Sequence, residues 1–286
     1  MRPEQPARVL RSVAHLRTAH PDWAWRVPAA LADEATLLFA HSPAHLKRLK
    51  QARDFDPDTP FFPGIAVHAC RAVGAALEAA QHALSTKEPV FSLMRPPGHH
   101  ATRDQAMGFC YLNQIAIATL AAQCDFDPNG AARSARRRVA VWDFDAHHGN
   151  GTEAILRGQP STYFVSVHQY PGYPGTGTVD LAPNVCNWPV APYTTRFKHM
   201  EALRDSLDAV MAFAPDLILV SAGFDAYARD PITEMTLETE DFATLGRWLG
   251  ETGRPAAALL EGGYSEDLPL LIAAFLSAWE NAGHTA

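Results

Sequence analysis

The chain has 286 residues, of which 47% are hydrophobic and 19% are charged, a composition typical of globular proteins and sufficient for one large α/β domain or two small ones. Its formal net charge of −7 argues against binding to a nucleic-acid backbone, and no apolar run is long enough to span a bilayer. Because the amino terminus does not resemble a signal peptide, a cytoplasmic location is expected.

The first part of the chain is predicted to form helices joined by loops. Apolar side chains recur at helical spacing in 28–40 and in 43–52, each with a proline at its start. A turn-rich loop containing several aspartates and prolines follows at 54–60. An alanine-rich helix is predicted at 63–85.

Strands and helices are predicted to alternate along the rest of the chain. Five short apolar runs are typical of buried strands, at 89–94, 139–142, 162–168, 216–221 and 256–260. Helical patterns lie between and after them, at 113–122, 150–157, 195–213, 237–249 and 267–279. The arginine-rich segment 125–137 is expected to be a solvated loop.

This alternation indicates an α/β fold with a central parallel sheet flanked by helices on both faces. The sequence contains no internal repeat, no low-complexity linker and no break in composition. A single domain spanning 1–286 is therefore predicted.

Side chains that bind metals or transfer protons follow four of the predicted strands. In chain order they are His99, His100, Asp143, Asp145, His147, Asp225 and Tyr264. The carboxyl ends of parallel strands meet at one edge of a sheet, and the sites of such proteins form there. The sequence therefore predicts one site assembled from distant segments.

Three of these side chains suit a catalytic metal ion. Asp145, His147 and Asp225 supply two carboxylates and one imidazole. A catalytic zinc takes three protein ligands and keeps an open position for water or substrate. Carboxylates at the end of a buried strand are costly to desolvate unless a cation neutralises them. One Zn²⁺ per chain is the expected cofactor.

His99 and His100 are interpreted as acid–base groups, since two further ligands would close the metal site. Asp143 and Asn150 are the candidate acceptors that would fix the tautomers of these histidines. A carboxylate partner raises the basicity of an imidazole, whereas an amide partner adds no charge, so the two histidines are expected to differ in pKa. A pH–rate profile with two limbs near neutrality is therefore predicted. The hydroxyl of Tyr264 is the candidate donor to a developing oxyanion.

Longer motifs occur in register along almost the whole chain. They are Arg95-Pro-Pro-Gly-His-His-Ala, Gly108-Phe-Cys-Tyr-Leu-Asn, Asp143-Phe-Asp-Ala-His-His-Gly-Asn-Gly-Thr, Ser221-Ala-Gly-Phe-Asp and Glu261-Gly-Gly-Tyr. On these motifs the chain resembles the zinc-dependent histone deacetylases and acetylpolyamine amidohydrolases. Asn150 and the Glu-Gly-Gly-Tyr form are similar to the class II and bacterial branch of that family.

The resemblance implies the arginase/deacetylase fold and a role for each residue in the motifs. It implies zinc on the three ligands named above, His100 as the principal general base and acid, His99 paired with Asp143 in an electrostatic role, and Tyr264 polarising the amide carbonyl. It also implies a substrate tunnel and its rim, formed by Gly108, Phe109, Tyr173, Asp58 and Ile232. A monovalent cation, K⁺, is expected near Asp143, Asp145, His147, Ser166 and Val167.

The chain departs from the family pattern in two places. The family usually opens with a strand followed by His-Pro-Glu-Arg-Pro, whereas this chain starts at Arg2-Pro3-Glu4-Gln5-Pro6, so the usual first strand is expected to be missing. Its loss would expose a sheet edge to a partner or leave the pocket more open. After Asp230-Pro231 the chain has Ile232, although polyamine-specific members are expected to place acidic groups at the mouth.

These residues predict a deacetylase that hydrolyses the linear amide of an acyl-lysine or an acetylated polyamine. The expected partner is a small-molecule or peptide acyl-amine, and homo-oligomers are compatible with the sequence. One alternative is an arginase-like ureohydrolase with two manganese ions, which would need His99 and His100 as ligands. Another is a non-catalytic binder of acylated ligands or a transcription-complex scaffold, which would need no general base.

Overall fold

A computed structural model describes residues 2–123 and 136–283 of the chain. Its strands are β1 (Val90–Ser92), β2 (Val139–Asp143), β3 (Thr162–Gln169), β4 (Val185–Val190), β5 (Leu217–Ala222) and β6 (Ala256–Leu260). These six form one sheet in the order β1-β6-β5-β2-β3-β4, and every neighbouring pair is parallel. The parallel sheet predicted from the alternating pattern is confirmed.

The helices of the described residues cover both faces of this sheet. They are α1 (Pro6–Ala19), α2 (Glu34–Leu37), α3 (Pro43–Leu49), α4 (Ile65–Thr86), α5 (Gln114–Gln123), α6 (Asn150–Leu156), α7 (Arg196–Ala212), α8 (Thr239–Glu251) and α9 (Leu268–Gly283). Buried side chains of α1, α7, α8 and α9 form one core cluster, and those of α2 to α6 form the other. The prediction of helices on both faces is confirmed. None of the helices in the part of the chain that the structure describes combines the length and apolarity needed to cross a membrane.

The central strand β2 positions the site. All five of its residues are buried, and it pairs with β3 on one side and with β5 on the other. Val139 and Val141 pack in one core cluster, whereas Trp142 and the following Phe144 pack in the other, as the alternation of side chains along a strand requires. The chain therefore leaves β2 with Asp143 at the carboxyl edge of the sheet.

Two sequence predictions about the helices near the amino terminus were wrong in extent. Most of 28–40 is not helical, because its backbone bonds to α4 instead: Ala29 N–H donates to Glu78 at 2.8 Å, and Ala32 N–H donates to the carbonyl of Cys70 at 3.2 Å. The helix predicted at 43–52 ends at Leu49.

Two elements were not predicted individually from the sequence. Helix α1 lies in the first part of the chain, for which the sequence predicts helices joined by loops without giving bounds for this one. Strand β4 contains the exposed Pro189, a residue tolerated in a strand only at a sheet edge, which is where β4 lies. Of the loop predicted at 125–137, residues 125–135 lie outside the described residues.

Candidate active site

The polar segments identified in the sequence meet at the carboxyl edge of the sheet. Strand β2 leads into Asp145 and His147, and β5 leads into Asp225. Strand β1 reaches His99 and His100 through a proline-rich turn. The parallel arrangement thus brings distant segments of the chain into one pocket, because all these strands end on the same side.

Asp145, His147 and Asp225 converge on a common point. Nδ1 of His147 lies 3.1 Å from Oδ1 of Asp145 and 2.9 Å from Oδ2 of Asp225. Backbone N–H groups orient the two carboxylates: Gly262 donates to Asp145 at 2.7 Å, and Ala146 donates to Asp225 at 2.8 Å. In residues 2–123 and 136–283, no other group of three or more histidine, cysteine or acidic side chains has the spacing of a metal site.

The chemistry of these three donors fits a cation. Both carboxylates are fully buried, so each loses its hydration and repels the other. Burial by itself lowers the pKa of His147, but the carboxylates of Asp225 and Asp145 outweigh it and raise that pKa well above its usual value. The point between the three side chains is therefore strongly negative, and a divalent ion with oxygen and nitrogen ligands would neutralise it.

His100 stands beside these donors with a defined tautomer. Its Nδ1 lies 2.8 Å from Oδ1 of Asn150, and because this oxygen only accepts hydrogen bonds, Nδ1 carries the proton and Nε2 is left as an acceptor. Burial, and then the neighbouring His99 and His147, lower the pKa of His100 well below its usual value. The arrangement is that of a neutral imidazole suited to accept a proton.

His99 has the opposite environment. Its Nδ1 donates to Oδ2 of Asp143 at 3.1 Å, and its Nε2 lies 3.8 Å from Oδ1 of Asp145. Burial lowers the pKa of His99, but Asp145, Asp143 and Glu261 together raise it to about 10. The ring centroids of the two adjacent histidines are 4.1 Å apart, yet their pKa values shift in opposite directions. Carboxylates outweigh burial at His99, whereas burial and the neighbouring histidines dominate at His100.

Aromatic side chains lie near His100. The ring of Tyr173 meets that of His100 edge-on at 5.0 Å between centroids, and the ring of Phe109 meets that of Tyr264 at 5.9 Å. Gly108 has a φ of +56°, and a Cβ on this residue would lie 2.5 Å from Cδ2 of His100. Only glycine therefore allows the chain to carry Phe109 past the imidazole.

Asp58 and Ile232, the residues predicted at the rim, lie at the surface. Asp58 is exposed, and Ile232 is 37% exposed. Burial, together with the negative charges of Asp56 and Asp58 among its neighbours, raises the pKa of Tyr173, which shows that this acidic loop lies close to the aromatic wall. The rim itself stays a prediction: its acidic candidates come from the 54–60 loop, whereas Ile232 is apolar.

The residues predicted to hold a monovalent cation lie at and beyond the carboxyl end of β2 and in the neighbouring β3. Ser166 pairs in register with Asp143, and Val167 follows it on β3. Asp143 accepts a hydrogen bond from the backbone N–H of Asp145 at 3.2 Å. Asp143, Ser166 and Val167 therefore lie next to Asp145, which is also one of the three candidate metal ligands, and the monovalent cation itself stays a prediction.

The chain matches the family model described as "Histone deacetylase domain" over residues 2–278. The chain belongs to the histone deacetylase domain family.

Named relatives of this deacetylase domain extend over most of its length. It is 36% identical to a "Probable deacetylase" of Methanothermobacter thermautotrophicus, over 84% of this chain and 74% of the other. It is 35% identical to an "Acetylpolyamine amidohydrolase" of Mycoplana ramosa, over 72% of this chain and 61% of the other. A crystal structure of the acetylpolyamine aminohydrolase from Burkholderia pseudomallei superposes with a TM-score of 0.84 at 27% identity, covering 99% of this chain and 92% of that one. The arginase/deacetylase fold is confirmed, and the family is one of hydrolytic deacetylases.

Glu261 of the deacetylase domain is a functional candidate to which sequence reasoning gave no role. It is fully buried, and its Oε2 accepts the backbone N–H of Gly98 at 2.7 Å and that of His99 at 3.2 Å. Ser221 on β5 donates to Oε1 at 3.5 Å. A carboxylate directly after an otherwise apolar strand was the signal that could have identified it.

Replacing Glu261 with alanine should lower the free energy of unfolding by several kcal/mol. Alanine leaves the N–H groups of Gly98 and His99 buried without an acceptor, at about 1–3 kcal/mol each. Glu261→Gln keeps an acceptor oxygen in the same place and should cost clearly less. Urea unfolding of the three proteins measures the order; equal stability of the alanine and glutamine variants would contradict this role.

Two further residues hold Tyr264 in the deacetylase domain. Oδ2 of Asp230 accepts the backbone N–H of Tyr264 at 2.7 Å. The buried guanidinium of Arg8 donates to the carbonyls of Gly263 at 2.7 Å and Glu261 at 2.6 Å, and it lies 4.7 Å from the centre of the Tyr264 ring. Helix α1, which the sequence did not predict by itself, therefore fixes the glycine turn that carries this tyrosine.

Proposed function

We propose that this protein is a zinc-dependent amidohydrolase that removes an acetyl or other short acyl group from a primary amine. The observation that carries the proposal is the close grouping of three candidate metal ligands with His100, whose Nδ1 bonds to an amide and whose burial lowers its pKa. A site built this way suits hydrolysis better than binding alone, because a binding site needs no general base.

Asp145, His147 and Asp225 would hold the zinc. Their two carboxylates and one imidazole match the three protein ligands of a catalytic zinc site, which leaves a position open. When bound there, zinc would polarise the acyl carbonyl and lower the pKa of a water molecule. K⁺ is proposed for the position beside Asp143 and Ser166.

The remaining side chains divide the proton transfers and the charge. Nε2 of His100 accepts a proton from the attacking water, while Asn150 holds Nδ1 and keeps the ring in place. His99, protonated and paired with Asp143, provides positive charge next to the reacting atoms. Tyr264 donates a hydrogen bond to the oxygen of the tetrahedral adduct, and a protonated histidine returns the proton to the departing amine.

The substrate proposed is an acyl-lysine or an acetylated polyamine. Relatives named as acetylpolyamine amidohydrolases support the second class. The aromatic side chains beside the candidate catalytic groups, Tyr173 at His100 and Phe109 at Tyr264, suit the linear chain of either substrate. The acidic residues Asp56 and Asp58 at the rim favour a cationic amine. The net charge of −7 argues against a nucleic-acid partner. A cytoplasmic location is proposed as well.

The ureohydrolase alternative is less well supported. It would need His99 and His100 as ligands of a second metal, but Nδ1 of each already bonds to Asp143 or Asn150. The described residues contain one group with metal-site spacing, and neither histidine belongs to it.

Turnover and metal content test the proposal together. The purified protein should contain about one zinc per chain and should release free amine from an acetyl-lysine peptide or an acetylated diamine. Chelation should abolish turnover, and added zinc should restore it. The proposal fails if the zinc-loaded protein hydrolyses neither of these substrates nor other small acyl amides, or if activity requires two manganese ions.

A further inference from the structure

A groove of about 660 Å³ lies beside the candidate tunnel and is separate from the metal-binding side chains. We call it the side groove. Its walls come from α1, from the segment leading into α4 and from the chain that follows β1. The apolar side chains in these walls are Val9, Leu10, Phe62, Ile65, Leu93 and Met94.

The side groove is continuous with the tunnel rim. Asp58 and Phe109, both assigned above to the rim and wall of the tunnel, also line the groove. The backbone N–H of Phe109 donates to Oγ1 of Thr59 at 3.1 Å, so the acidic loop and the aromatic wall are fixed to each other. A molecule that enters the tunnel past Asp58 therefore has the groove directly beside its outer end.

The arginines and the glutamate that line the groove are engaged with protein partners, whereas Asp58 is exposed at the rim. Arg95 donates to Glu4 at 2.6 Å, and Arg2 donates to the carbonyl of Pro57 at 2.8 Å. The surface of the groove that remains accessible to a ligand is therefore mainly apolar. It includes Leu10, which is 68% exposed, and Phe62, which is 52% exposed. Apolar surface that remains accessible next to a substrate entrance is typical of a ligand-binding surface.

We propose that the side groove binds a large apolar residue adjacent to the acyl-lysine of a peptide substrate. The inference rests on the proposed amidohydrolase function and assigns its substrate class. The acyl-lysine side chain occupies the tunnel, Asp58 lies at the entrance where the peptide backbone passes, and the flanking apolar side chain lies against Leu10 and Phe62. An unbranched polyamine has no group to place there.

The experiment compares substrates and variants by kcat/KM. The substrates are two acetyl-lysine peptides that differ only in having leucine or serine beside the lysine, together with an acetylated diamine. The variants are Leu10→Glu and Phe62→Glu, on different walls of the groove, and Leu270→Glu as the matched control, since Leu270 is 48% exposed on α9 and does not line the groove.

The native protein should prefer the leucine peptide by about tenfold or more, as expected for burial of one apolar side chain. Leu10→Glu and Phe62→Glu should each reduce this ratio to near unity without lowering turnover of the acetylated diamine. Leu270→Glu should keep the native ratio. Equal rates for the two peptides, or a preference that survives both groove variants, would overturn the proposal.

A second measurement separates this proposal from the function on which it rests. Calorimetric titration of the metal-free protein with the deacetylated leucine and serine peptides requires no turnover. The leucine peptide should bind more tightly, and Phe62→Glu should remove the difference. If the native protein shows this difference in affinity but no catalysis, the hydrolase function is rejected and the groove proposal stands. If it catalyses hydrolysis but shows no difference in affinity, only the groove proposal is rejected.

Discussion

The His100→Ala variant is expected to lose about 10³-fold in kcat, a typical value for the removal of a general base, while its zinc content stays the same. His100 is bound to Asn150 at Nδ1 and contributes none of the three grouped metal-binding atoms. Its removal therefore takes away proton transfer without taking away a ligand. Steady-state kinetics with an acetylated amine and metal analysis of the same sample measure the two effects.

The pH dependence provides an independent check on His100. Since its pKa is lowered, the imidazole is neutral at pH 7 and becomes protonated only in acid, so the acid limb of kcat/KM should lie below pH 6.5. The raised pKa of His99, about 10, places the alkaline limb well above neutrality. The sequence predicts both limbs near neutrality. Because the two pKa values shift in opposite directions, the limbs are expected to lie further apart than that.

His15→Ala is the matched control for this variant, because His15 lies on α1 away from the strand ends. It should retain full activity and the native pH profile. The residual activity of His100→Ala should lack the acid limb. If turnover of His100→Ala were within a few fold of native, the assignment of the base would be wrong.

The second large effect is expected for Asp225→Asn, which should lose both tight zinc binding and turnover. Oδ2 of Asp225 lies 2.9 Å from Nδ1 of His147, and the neutral amide removes one of the two negative charges that make this position attractive to a cation. We expect kcat/KM to fall by at least about 10³-fold at micromolar zinc, because activation of the water and of the acyl carbonyl depends on the bound metal.

Thermal unfolding reports the same change without an activity assay. A metal that binds only the folded protein stabilises it in proportion to the logarithm of its concentration, so the native Tm should rise as zinc is added. The Tm of Asp225→Asn should not respond. Asp208→Asn, at an exposed position on α7, should behave as native. A zinc-dependent Tm in Asp225→Asn equal to that of the native protein would contradict the assignment.

The local pattern of the chain was enough to predict most of the sheet. Strands such as Val139–Asp143 and Ala256–Leu260 are short apolar runs buried on both faces, and that composition is specific to the interior of a parallel sheet. Segment 28–40 was misread because its helical spacing competes with bonds to α4, which is distant in the sequence. Strand β4 was not predicted because a proline within a strand is tolerated only at a sheet edge. Which strand lies at an edge depends on the order of all the strands in the sheet.

For the candidate site, the sequence by itself determined which side chains are the candidates for metal binding and proton transfer. Acids and histidines that directly follow buried strands are costly to desolvate, so their presence there already pointed to a metal and a proton-transfer group. The family resemblance also implied the pairing of His99 with Asp143, and the structure contains that hydrogen bond. Only the tertiary structure decided that His100 faces Asn150, and that Glu261 and Arg8 hold the turns that carry His99 and Tyr264. The physical reason is that hydrogen bonds and charge interactions act across the few ångströms set by packing, and separation along the chain does not specify those distances.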